Sequence, residues 1–233
     1  MDADNLSEEE FLKTYDPTHY ARPSVATDAV VFSYFDARLQ VLLIRRKNHP
    51  FRGHWAFPGG FVEVYEDPDE AIVRELKEET GIELAEGMVQ FGVFGRPDRD
   101  PRYHVISIAY LGVVRAEDHE PRAADDAAEA RWHPVRNAPP LAFDHARVLN
   151  IALERLRRET AALSFAMGFF GRRVTAAELL ALYEEIFAEK IDRSRFLRRL
   201  TRFCKERPAL SRPLRINYAK LHRLEATPGA WWL

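Results

Sequence analysis

Two runs rich in apolar and β-branched side chains, Thr27 to Phe35 and Leu39 to Arg46, flank the polar break Asp36-Ala37-Arg38. Runs of this length around a short break predict a β-hairpin. Met88 to Phe94 and His104 to Val114 repeat the pattern around a polar turn, Arg96 to Arg102, and Arg131 to Val135 reads as a short closing strand. Pro58 to Glu63 reads as a strand interrupted by Gly59 and Gly60, glycines that let another backbone or side chain come close. Between these segments the apolar spacing changes to that of a helix. Asp67 suits its cap, Pro68 its first position and Gly81 its left-handed stop, and Glu70 completes a capping box. Ile72, Val73, Leu76 and Thr80 form the apolar arc of this helix, with Glu75, Glu78 and Glu79 beside it. A further helix, capped by Asp144, is expected to run to about Leu163. Strands and helices in this order predict an α+β unit, a mixed sheet with helices packed on it.

The pattern changes again after Gly168. Thr175 and Glu178 form a capping box for a helix with Leu179, Leu180, Tyr183, Ile186 and Phe187 at helical spacing. A second helix from about Asp192 carries Phe196, Leu197, Leu200 and Phe203 inside. Arg195, Arg198, Arg199 and Arg202 lie outside, with Arg193 in the first turn. Leu214 to Tyr218 then alternates like a hairpin strand. Helix, basic helix and basic hairpin outline a winged helix-turn-helix. The expected division is an N-terminal arm over 1–20, a first domain over 21–163 and a small DNA-binding domain over 164–233. The four on one face would give an electrostatic footprint for double-stranded DNA, to which Arg193 adds; a solvated surface helix, or a basic face docked on the acidic front domain, is the alternative.

Charge sharpens this division. The 233-residue chain has a net charge of −2, yet residues 164–233 hold 14 Lys and Arg against 7 Asp and Glu, and the rest holds 20 against 29. An acidic front and a basic back suggest two jobs. The acidic start lacks the apolar stretch of a secretion signal, and no stretch approaches membrane-spanning length, so a cytoplasmic protein is expected. Cys204 is the only cysteine, which excludes an internal disulfide and a cysteine-built zinc site. Beside Phe203 it reads as a core thiol.

The helix over 68–80 carries the chemistry. Glu75, Glu78 and Glu79 crowd its carbonyl end, where the helix dipole disfavours acids and where like charges repel one another. A bound divalent cation would offset that cost. Hard oxygen donors, with the Gly59 carbonyl as a further ligand, select magnesium or manganese. From Gly60 the string continues through Glu66, Arg74-Glu75-Leu76, Glu78-Glu79 and Gly81-Ile82, and matches every fixed position of the Nudix box. The chain therefore resembles Nudix hydrolases.

Further stretches resemble one branch, the Nudix-related transcriptional regulators of NAD metabolism and their ADP-ribose pyrophosphatase relatives. They are Tyr20 to Val25, Leu42 to Arg46 with Pro50 to Gly53, Phe94 to Arg102, Leu141 to His145, Thr175 to Tyr183 and Asp192 to Phe196. The resemblance implies an α/β/α sandwich followed by a winged helix, a homodimer, an ADP-ribose-like ligand and a DNA operator. It further implies water attack on phosphorus in a nucleoside diphosphate linked to another group. In that reaction Glu75 and Glu79 hold the metal, Glu78 is a further ligand or the base, and Arg74 orients a carboxylate. Gly60 and Arg96, Arg99 and Arg102 are candidates for substrate, Glu66 for bracing the loop, and Asp125 or Asp126 for an extra acid. Phe32, Phe35, Phe57 or Tyr103 would offer adenine an aromatic face, although each also suits a core, and His54 reads as a plain loop histidine. Regulators of this branch often have a damaged box and only sense ligand, whereas this chain keeps every box residue. Its tail departs in Ser194-Arg195, where Arg-Asn is common, and in a wing poor in glycine. A ligand-sensing regulator with little or no turnover is thus the alternative reading. The sequence gives no role to Trp231-Trp232.

Overall fold

The structure is a computed structural model that describes residues 7–84, 87–123, 127–160, 163–170 and 174–206, with the side chains of Ser164 and of 203–206 left aside. The expected hairpin is present. Strands β1 (Ser24–Phe35) and β2 (Arg38–Arg46) pair antiparallel, with Phe32 opposite Val41. Asp36 and Ala37 both take positive φ, 51° and 55°. That is the backbone handedness a two-residue hairpin turn needs to match the twist of its strands. The remaining strands are β3 (Trp55–Ala56), β4 (Val89–Phe94), β5 (Val105–Val113) and β6 (Ala127–Pro134).

Their order is β3-β2-β1-β5-β4, with β1 and β3 pairing to successive stretches of one edge of β2 and β6 pairing along its other edge. β1 and β5 run parallel and every other pair is antiparallel, so the sheet is mixed. The Gly-Gly segment lies against β1 without forming a regular strand. The Thr27 N–H donates to Gly60 O at 2.9 Å, Ala29 N–H to Pro58 O at 2.8 Å and Val62 N–H to Val25 O at 3.0 Å. Gly59, at φ 151°, breaks the extended backbone there.

The central strands are buried on both faces, as strands covered by helices on either side must be. Side chains alternate between two cores. Ala29, Val31, Leu42 and Tyr110 pack with Ile72, Leu76 and Ile82 under helix α2 (Pro68–Thr80). Val30, Phe32, Val41, Leu43, Ala109 and Leu111 face the other way, toward α3 (His145–Glu159). A short exposed helix, α1 (Glu8–Thr14), precedes the sheet; α4 (Leu163–Met167), α5 (Ala176–Phe187) and α6 (Arg193–Glu206) follow α3.

Two expectations change in detail. Helix α3 stops at Glu159 rather than near Leu163, and Asp144 makes no side-chain cap, because its carboxylate accepts from Arg99 instead. The capping box at Thr175 is present, and Leu179, Leu182, Tyr183 and Ile186 are the buried residues of α5. They join Phe196 and Leu200 of α6 in the same apolar cluster as Val41, Leu43 and Leu156, so the core runs from the sheet through α3 into α5 and α6. The alternating stretch after Arg207 and Trp231-Trp232 lie outside the described residues.

Candidate active site

Helix α2 is fixed at both ends as its sequence requires. Asp67 accepts from the Asp69 N–H at 2.9 Å, Glu70 closes the capping box, and Gly81 at φ 71° donates back to Lys77 O. Tyr110 of β5 donates its hydroxyl to Asp69, which ties the first turn to the sheet. Held in this way, the last two turns present Glu75, Glu78 and Glu79 to a cavity of about 540 Å³. Gly59, Gly60, Phe61, Glu63, Arg46, Lys47, Asp28, Arg99, Arg102 and His145 also line it.

The glycines are there for clearance. A Cβ on Gly59 would lie 2.0 Å from Thr27 O, and one on Gly60 would lie 2.3 Å from Glu75 Oε1. At Gly59 a side chain would collide with fixed backbone, and at Gly60 it would displace the Glu75 carboxylate, so the Gly-Gly backbone and the acids are in close contact. Gly59 donates its N–H to Glu79 Oε2 at 2.8 Å, and Glu79 is only 6% exposed.

Arg74 is the hub of the cluster. Its Nε and Nη2 donate to Glu66 at 2.7 and 2.8 Å, its Nη1 to Glu75 at 2.8 Å and Glu78 at 3.1 Å, and its Nη2 also reaches Phe61 O at 3.2 Å. Glu66 in turn accepts from the Glu63 N–H at 2.9 Å, bracing the loop. The forked bond from Arg74 holds the Glu66 carboxyl down at about 2. Burial pushes the Glu75 carboxyl up, against the pull of Arg74. One guanidinium thus serves three carboxylates, Glu66 through a fork and Glu75 through a single bond, and that single bond does not offset the burial of Glu75.

Among the described residues, no three acidic, imidazole or thiol side chains already surround a single point. Glu75 and Glu78 lean on Arg74, and Glu79 on Gly59. The donor set nonetheless fits a hard divalent cation, since it offers oxygen atoms beside an open cavity, with the carboxylates of Glu66, Glu75, Glu78 and Glu79 outnumbering the one arginine among them.

The three arginines proposed for substrate separate in space. Arg99 is buried and clamped, donating to Asp144 Oδ1 at 2.8 Å and Asp28 Oδ2 at 3.4 Å. Arg102 borders the cavity and pairs with Asp100. Arg96 pairs with Asp98 in a neighbouring, smaller depression shared with Phe51, Phe143 and Arg147. Of the aromatic candidates, Phe32 is core, Phe57 is buried and stacked on His145, Phe35 packs edge-on against Trp132, and Tyr103 is exposed. His54 sits in an exposed loop with its ring edge-on to Phe51. Asp125 and Asp126 lie outside the described residues.

Sequence reasoning missed the floor of the cavity. Asp28 accepts from Ser107 Oγ and from Arg99, and lies 3.5 Å from His145 Nε2. His145 Nδ1 accepts from the Phe57 N–H at 3.0 Å, which leaves the proton of a neutral ring on Nε2, facing Asp28. One signal was available, a lone aspartate at the start of the apolar run Ala29 to Phe32.

On α6, Arg193, Arg195, Arg198 and Arg202 are exposed and Arg199 is half-buried. No helix among the described residues is long and apolar enough to cross a membrane.

Comparison with known proteins places this geometry. The NUDIX domain model matches residues 25–150. An ADP-ribose pyrophosphatase of Methanocaldococcus jannaschii is 47% identical over 131 residues, 56% of this chain and 73% of that protein. The ADPR responsive transcriptional repressor NtrR of Acinetobacter baylyi is 30% identical over 198 residues, 83% of this chain and 78% of that protein. The crystal structure of Shewanella oneidensis NrtR complexed with a 27mer DNA superposes with a TM-score of 0.66 at 29% identity, covering 76% of this chain and 82% of that one.

Proposed function

We propose, since this chain belongs to the Nudix family, that its cavity binds a nucleoside diphosphate joined to a second group, ADP-ribose first among them, and hydrolyses it. The observation that carries this reading is the contact of the Gly59-Gly60 backbone with Glu75 and Glu79 at the wall of the cavity. It brings carboxylates and open backbone together where a diphosphate can reach both.

Glu75 and Glu79, with Glu78 and the Gly59 carbonyl, would hold a magnesium or manganese ion. When bound, such an ion supplies charge neutralisation to phosphoryl oxygens and acidifies water. The remaining work falls to the chain itself. Arg74 holds Glu75 and Glu78 in fixed orientation and tethers them through Glu66 to the loop. Glu78, the most exposed of the acids on Arg74, is a further ligand or the base that takes the water proton. Arg102 and Gly60 border the path of the phosphates. Arg99, its guanidinium committed to two aspartates, positions the turn that carries Arg102 rather than gripping substrate. Arg96, paired with Asp98 in the neighbouring depression, serves a part of the ligand beyond the diphosphate.

AMP release from ADP-ribose in magnesium tests the proposal. Glu79→Gln is expected to lower turnover by roughly a hundredfold or more, at least the loss typical of a disturbed metal shell. Wild-type protein that releases no AMP from any diphosphate compound would remove the enzymatic reading.

A second reading has its own support in the exposed arginines of α6 and in the relatives described as a repressor and as a DNA complex. In it the chain is a homodimer whose residues 164–233 bind double-stranded DNA through Arg193, Arg195, Arg198, Arg199 and Arg202. An ADP-ribose-like ligand in the cavity then shifts that affinity, a coupling that requires different contacts in two states. The two readings are compatible.

A further inference from the structure

Two aromatic rings stay open to solvent at the lip of the cavity. Phe61 is 37% exposed and Tyr103 46%. They lie nearly parallel, 16° apart, with centroids separated by 6.4 Å. The guanidinium carbon of Arg102 stands 5.4 Å from the Phe61 centroid. Asp100 grips that guanidinium by its edge, accepting from Nε at 3.0 Å and from Nη2 at 2.8 Å, which leaves its flat faces for stacking.

The backbone under this surface is held firmly. Phe61 pairs with Ala26 in an antiparallel bridge, and its carbonyl accepts from Arg74. Phe61 also directly follows Gly60, which is in contact with the Glu75 carboxylate. An aromatic platform with a cation over it therefore begins one residue away from the acidic cluster. Phe61 and Arg102 line the same cavity as Glu75, Glu78 and Glu79. Large apolar rings left uncovered beside a polar cleft suit a planar partner with a π-face of its own.

We propose that Phe61, Tyr103 and Arg102 form the seat of the nucleobase, with the diphosphate lying inward over Gly60 and the carboxylates. The inference rests on the nucleoside diphosphate reading and adds where the base binds and why a base is preferred. Stacking of this kind is tolerant of base identity, so the seat selects nucleotides over other diphosphates more than it selects among nucleotides.

Calorimetric titration in magnesium tests it without turnover when both probes carry a methylene bridge between the two phosphorus atoms, which blocks cleavage between them. ADP-ribose and ribose 5-diphosphate, which keeps the diphosphate and lacks the base, are titrated into wild type and into the double variant Phe61→Leu/Tyr103→Leu. Leucine keeps apolar bulk and removes the π-face. The expected result is a Kd for ADP-ribose weakened roughly five- to hundredfold, with a much smaller change for ribose 5-diphosphate. Val64→Ser, at an 82% exposed position outside the cavity lining, serves as the control and is expected to bind both like wild type. Equal weakening for the two probes, or none, overturns the base seat. If wild type binds ribose 5-diphosphate as tightly as ADP-ribose, the seat falls while the diphosphate site stands. If wild type binds neither, the reading of the cavity falls with it.

Discussion

Two residues show how one polar group settles its neighbours. Arg74 joins Glu66 in the loop to Glu75 and Glu78 on the helix, and lysine, a point charge without the fork, could not serve all three. His145 works from below. Burial pushes its imidazole below the ordinary 6.5; Asp28 and Asp144 pull it back up, while Arg99 and Arg46 add to the depression. Between the depressed value and 6.5 the unfolded chain takes up a proton that the folded chain refuses. Stability from this group is therefore complete above about pH 6.5 and is lost on acidification through that window. In His145→Asn, whose Oδ1 can still accept from the Phe57 N–H, the fall in urea midpoint from about pH 7.5 to about 5.5 is expected to be smaller than in wild type. An equal fall would show that His145 does not titrate in this way.

At the scale of elements, α2 is the piece most fully legible in the sequence. Its cap, first proline, capping box and glycine stop all read correctly because each is a local rule satisfied within a few residues. Asp67→Ala is expected to cost about 0.5–2 kcal/mol in a urea titration, the usual loss for an N-cap. The Gly-Gly segment was only half legible. Its glycines marked a close approach, but the Thr27 carbonyl on one side and the Glu75 carboxylate on the other come from distant positions, and their presence turns an expected strand into an irregular strip. Asp144 read as a cap by its place before a helix, and a tertiary partner, Arg99, overrode the local rule. The cavity floor was illegible for the same reason. Asp28, Ser107, Arg99 and His145 meet only when β1, β5, the 96–102 turn and α3 are assembled.

At the scale of the whole molecule, the acidic front and basic back read from charge correspond to a cleft rimmed by glutamates and a helix studded with arginines. If α6 meets phosphate backbones, binding to a palindromic duplex should weaken steeply with salt. Changing Arg195 and Arg198 together to alanine should reduce the slope of log K against log salt by about 2, near 0.9 for each lost contact. An unchanged slope in a gel-shift or anisotropy series would place these residues outside the interface.

The continuous core adds a mechanical consequence. β2 reaches the cavity at Arg46, while at its other end the Leu39 N–H donates to Glu185 of α5 at 3.3 Å. The same strand also feeds Val41 and Leu43 into the cluster that holds Leu182 and Tyr183. Among the described residues, one apolar cluster thus joins the strand that borders the cavity to the arginine-bearing helix. If a ligand in the cavity displaces β2, this strand is the route by which α5 and α6 would register it.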